Sequence, residues 1–155
     1  MANTQAIAKT FRIDLLNAKH AFGATVIRAA TTKDSYKAAL YVATATMDST
    51  ATAYTATNEV SGSGYTAGGI AVTNATDPAN TGGTGIVAFW TPSASLAFGT
   101  VTLATAFDAV LFYNDTAAGK NAVCVNTFGS TTVSAATFTL TMPTNDLTTG
   151  LIRLS

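Results

Sequence analysis

The chain has 155 residues, 48% of them apolar, a single cysteine, and eight basic against eight acidic side chains. That is the length of one ordinary domain, expected to span residues 1–155. A formal net charge of zero argues against a general nucleic-acid grip, one cysteine excludes an internal disulfide framework, and no run approaches the roughly 18 apolar residues of a membrane span. Charged residues make up only 10% of the chain, against about 25% in an average globular protein. Alanine and threonine together supply roughly 40%, far above ordinary usage. Small, mildly polar side faces of this kind suit close packing against other protein subunits, whereas a free monomer usually carries more charge to stay soluble.

Residues 4–20, "TQAIAKTFRIDLLNAKH", show the only helical period. Ile7, Phe11, Leu15, Ala18 and Phe22 fall on one stripe, Thr4 is placed to cap the start, and Gly23 follows the end. Lys9, Arg12 and Lys19 then lie off the stripe, available to a partner. The basic residues up to position 37 are Lys9, Arg12, Lys19, Arg28, Lys33 and Lys37, against Asp14 and Asp34, so this part is formally +4. The remainder, with Lys120 and Arg153 against Asp48, Glu59, Asp77, Asp108, Asp115 and Asp146, is −4. Such asymmetry can steer docking onto an acidic neighbour, or can be a solvated face. The N-terminal segment lacks the pattern of a secretory signal.

From residue 34 the pattern turns to β. "DSYKAALYVATATM" has small or apolar residues on both sides, as a strand covered on both faces would. "STATAYTATNEV" reads as a loop with one short helical turn near Tyr54. "GIAVTNAT", "GIVAFWT", "GTVTLA", "AFDAVLFYN", "NAVCVNTF", "VSAATFTLTMP" and "LIRL" each read as a strand, and "NDTAAGKN" as a hairpin connection. In "FTLTMP", Phe138, Leu140 and Met142 alternate with Thr139 and Thr141. Short strands at regular spacing predict a mainly β fold: an antiparallel β-sandwich, jelly-roll-like, with one N-terminal α-helix.

No catalytic pattern emerges. "NEVSGSGYTAGG" places Gly62, Gly64 and Gly68 with the third glycine one residue late for a dinucleotide loop, and the segment after it is a strand with no helix N-terminus. It reads as a turn whose glycines supply positive φ and close backbone approach, with Tyr65 folded back over the sheet edge. His20, the only histidine, is read as a partner of the helix dipole rather than a base. Cys124 is read as a small buried hydrophobe, and with His20 it is too little for a zinc site. Asp108, inside an apolar strand, is the best candidate carboxylate, yet no second one is placed beside it. The sequons at Asn74 and Asn114 are discounted as chance matches in a Thr-rich chain. Trp90 is read as a core or subunit-contact anchor, with a sugar platform as the alternative. No enzyme, cofactor or metal is expected.

"FRIDLLNAKHAF", "KAALYVATATMDSTATAYTATNEVSGSGYTAGG", "AVLFYNDTAAGKNAVCVNTFG" and the closing "FTLTMPTND" and "LIRL" together resemble a family of small tailed-bacteriophage virion proteins. Its members share a leading helix ending near a histidine, an "ALY" strand and a GYTAGG-like loop. This chain departs from them at "GIVAFWTPSASLAF". The resemblance implies a structural part of the virion, assembled in the bacterial cytoplasm. The expected role is a capsid decoration or cement protein, a homo-oligomer bound to the major capsid protein or other virion proteins, with Lys9, Arg12, Lys19 and Trp90 as contact residues. The alternatives are a tail, adaptor or fibre-base component, and a carbohydrate-binding module on the virion surface.

Overall fold

The computed structural model describes residues 3–8, 11, 15, 19–23, 33–73, 78–79 and 88–154. The described part is mainly β. Strands β1 (Ala6–Ile7), β2 (Tyr36–Val42), β3 (Ile70–Val72), β5 (Leu96–Asn114) and β6 (Ala122–Leu140) form one antiparallel sheet in the order β1-β6-β5-β2-β3. β4 (Ala88–Trp90) and β7 (Ile152–Leu154) form a separate pair.

The long strands β5 and β6, 19 residues each, make a single hairpin closed by residues 115–121. At the closed end it is deeply buried, and β2 pairs along it from Tyr36 opposite Asn114 to Val42 opposite Phe107. Ala38, Ala39, Leu40 and Tyr41 are all buried, so both faces of β2 are covered, as its unbroken small and apolar run predicts.

The hairpin then doubles back. Phe128 and Phe138 stand ten positions apart on β6, which in a straight strand would separate them by roughly 33 Å. Their ring centroids are 5.4 Å apart. The corner is visible in the register, where Leu103 faces Val133 and the next pair is Phe107 with Thr131. Residues 104–106 of β5 thus lie opposite one residue of β6, and residues 128–130 of β6 lie opposite Asp108. Bulges of this kind bend a ladder and sharpen its twist. Phe107, fully buried, sits inside the bend against Phe128 at 5.9 Å and Phe138 at 4.9 Å, and Phe98 closes the cluster on Phe138 at 5.8 Å.

Three sequence expectations change here. The predicted helix over 4–20 does not begin where its cap was placed. Ala6 and Ile7 pair with Val125 and Cys124 as an edge strand, and the Thr4 amide donates to the Met47 carbonyl at 2.8 Å. The backbone of this segment is spent on the sheet edge, which competes with an intrahelical ladder; much of the remaining predicted helix lies outside the described residues. The helical turn near Tyr54 is replaced by extended loop, with Ala53 bridging Asn121. Finally, "GTVTLA" and "AFDAVLFYN" are one strand, as are "NAVCVNTF" and "VSAATFTLTMP".

Candidate functional site

The glycine loop is a clasp across the bend. Glu59 bridges Tyr41 of β2, while Ser63 bridges Thr102 on the turned-back part of β5. Gly64, Gly68 and Gly69 have φ of 80°, 89° and 72°, as the turn reading predicts. The Glu59 carboxylate accepts hydrogen bonds from the hydroxyls of Tyr54 and Tyr65, both at 2.7 Å, and from the Gly68 amide at 2.8 Å. The Tyr65 hydroxyl in turn accepts from the Leu40 amide at 3.0 Å, and the Tyr113 hydroxyl donates to the Gly68 carbonyl at 2.8 Å. The motif ties the two halves of the hairpin together.

These tyrosines are set against ionisation. Burial, then the Glu59 carboxylate, pushes Tyr54 up to about 12. Burial is also the main cause that raises Tyr41, Tyr65 and Tyr113 well above the ordinary phenol range. Because the folded-state values lie above the unfolded value of about 10, the stability linked to these groups is intact below pH 10 and is lost as pH rises from about 10 through 12. Alkaline titration is expected to show tyrosinate absorbance and loss of β circular dichroism in one joint transition. Ordinary titration of all tyrosines near pH 10 with the fold intact would contradict this.

A second polar cluster joins residues 19–21 to the hairpin turn. Asn114, fully buried, donates through Nδ2 to Asp34 Oδ2 at 2.8 Å and to the Lys19 carbonyl at 2.9 Å. Its Oδ1 accepts from the amides of Thr116 and Ala117. That burial leaves the Asn114 sequon no surface to present. His20 is buried beside Asn114, with its ring 5.0 Å from Phe11. It is a core residue there; the helix end whose dipole it was expected to meet lies outside the described residues. Asp108 emerges at the bulge and accepts from the Asn3 amide, whose Oδ1 accepts from the Met47 amide at 2.9 Å. It staples the N-terminal segment. Cys124 is buried, and burial pushes its thiol up to about 12.

Of the expected contact residues, Lys19 is exposed, while Lys9 and Arg12 lie outside the described residues. For Trp90 the core reading holds and the contact reading is corrected: it is 3% exposed and packs on Phe22 at 4.8 Å and Tyr36 at 6.1 Å. Its strand precedes β5 and pairs with β7, which brings the indole to the apolar cluster, so it offers no platform to a sugar or a partner. The two halves of the charge asymmetry also meet within the chain. Asp115 pairs with Lys37 at 3.3 Å and with Lys120, and the Lys120 bond leads the effects that hold its carboxyl below the usual range.

The turned-back arm, residues 96–107 and 128–140, contains no charged side chain. Leu96, Phe98, Val101 and Leu103 point inward, while Ala97, Thr100, Thr102, Thr132, Thr137 and Thr139 are exposed. Phe138, Leu140 and Met142 are half-buried between exposed Thr139 and Thr141, as the period-two reading predicts. Sequence reading saw small-residue faces in general; it missed this arm because the corner that separates it is a backbone event. The signal was present in the 25 consecutive uncharged residues between Lys120 and Asp146.

No family model, curated protein or solved structure matches this chain.

Proposed function

We propose that this chain is a structural virion protein, a capsid decoration or cement protein that sits on a phage head and bridges neighbouring capsid subunits. The observation that carries the reading is the uncharged, Thr- and Ala-faced arm held out by a clasped, bent hairpin. A surface of this type can be covered by another protein with little desolvation penalty, because it has no charge to strip of water. A phage protein of this kind acts by burying area between subunits, so each bound copy raises the resistance of the shell to heat and internal pressure. The resemblance to tailed-phage virion proteins points the same way. The reading also carries a finer architecture, a jelly-roll-like β-sandwich, which the doubled-back hairpin supports.

Heads assembled without this protein are expected to open at a lower temperature than complete heads, measured by calorimetry or dye release on purified particles. Unchanged opening, or absence of the chain from purified particles, would remove the proposal. Copy number separates the tail reading: copies in proportion to the capsid lattice place the protein on the head, and a single ring of copies places it in the tail.

A further inference from the structure

Sheet edges expose unpaired N–H and C=O groups, and soluble proteins guard them with lysine, proline, bulges or very short strands. The outer edges of β1, β3, β4 and β7 fall under the last device, with two or three residues each. β6 differs. β1 covers it only at Cys124 and Val125, and among the described residues no strand pairs with its outer edge beyond that point. The bulges at 128–130 and at 134–135, the latter with Ala135 at φ 48°, interrupt the edge. Residues 136–140 are left as one regular stretch, "ATFTL", without a charge, a proline or a bulge on its own strand. Ala136, Thr137 and Thr139 are exposed, and Phe138 and Leu140 are half-exposed.

We infer that this edge pairs with the same edge of a second copy, antiparallel about a two-fold axis centred on Phe138. The occupant follows from the strand inventory. Among the described residues, no other edge offers five regular residues: β5 beyond its pairing with β2 is bridged by Ser63 at Thr102, and its residues 96–101 are broken by the bulge at 98–99. The edge that matches this one is therefore its own copy. An isologous contact must also be self-compatible, residue for residue. Centring on Phe138 sets Phe138 against its own copy, Thr137 against Thr139 of the second copy, and Ala136 against Leu140. Aromatic pairs and Thr–Thr pairs are favourable directly across an antiparallel ladder. With no charge on the edge and formal net charge zero, nothing repels the approach. Five residues of edge fall well short of the roughly 800 Å² per partner of a standard stable interface. The pair is therefore concentration-dependent and strengthens when copies are held side by side. The inference rests on the strand geometry alone and stands whether or not the protein belongs to a virion.

The test uses sedimentation of the full chain from low to high micromolar concentration, with two double variants. Thr137→Lys with Thr139→Lys sets lysine against lysine twice, and is expected to weaken association at least about tenfold. Thr137→Lys with Thr139→Glu sets lysine against glutamate twice, and is expected to restore it. Both pairs of changes fall on exposed positions and burden the fold alike, so the difference between them reads the pairing. A wild-type chain that stays monomeric throughout the range, a Lys/Lys variant that associates like wild type, or a Lys/Glu variant as weak as Lys/Lys would each overturn it.

Discussion

Gly69→Ala is expected to lower stability by about 3–5 kcal/mol, at the high end of what one substitution does. A Cβ at this position would lie 1.8 Å from the Ala38 carbonyl oxygen and 2.5 Å from its carbon, which are backbone atoms of a fully buried strand. The residue also holds φ at 72°, where a side chain adds about 1–2 kcal/mol of its own. The loop must lift off β2, and with it go the bond from Tyr113 to the Gly68 carbonyl and the seat of Gly68 on Glu59. Gly99→Ala makes the control. Its φ of 71° carries the same conformational penalty, but a Cβ there meets nothing within 4 Å, so only that penalty of about 1–2 kcal/mol is expected. Urea unfolding of the two variants reads the difference directly; equal losses would show that close approach at Gly69 is relieved without opening the clasp.

Phe107→Ala ranks beside it. The ring is wholly buried within the bend and touches two aromatics of β6, Phe128 and Phe138, that stand on either side of its bulges. Truncating a buried phenylalanine costs about 3–5 kcal/mol, from lost transfer energy and the cavity left behind. For a chain of this size each kcal/mol lowers Tm by about 2–4 °C, so a fall on the order of 10 °C is expected by differential scanning calorimetry. Phe128→Ala, at a half-exposed position on the same cluster, should fall by clearly less. A Phe107 variant that melts like wild type would mean that the bulges, rather than the aromatic cluster, hold the corner.

These two residues also show what was legible in the sequence. The glycine loop was read correctly as a turn because its spacing rules out a phosphate cradle and its glycines need no distant information. Strands β2, β3, β4 and β7 fall within predicted segments, since their β-branched and aromatic runs are bounded by turn residues. The two long strands were each divided at small residues, Ala104–Ala106 on one and the Gly129–Ser130 neighbourhood on the other. Those breaks were real, but they mark a corner inside a continuous ladder rather than the end of a strand. Local composition reports that regularity fails without saying whether the chain turns around or bends. The N-terminal segment failed in the opposite sense. Ile7 satisfies a helical stripe and a sheet edge equally well, and only its pairing with Cys124, far along the chain, decides between them. Trp90 was open between core and surface for the same reason: its neighbours Phe22 and Tyr36 come from distant segments.

The order in which these contacts become possible during synthesis follows from the same topology. β2 is an inner strand, yet its partners on β5 are translated 65 to 78 residues after it, from Val42 with Phe107 to Tyr36 with Asn114, and Asn3 finds Asp108 only across a separation of 105 positions. β3 and the Glu59 loop stand close enough in the chain to meet one edge of β2 early, but the edge that takes β5 must wait, and pairings so remote in the chain form slowly. Until β5 arrives, that edge of β2 and its small, apolar run at residues 38–41 wait for a partner, a stretch that a nascent chain must keep from its neighbours.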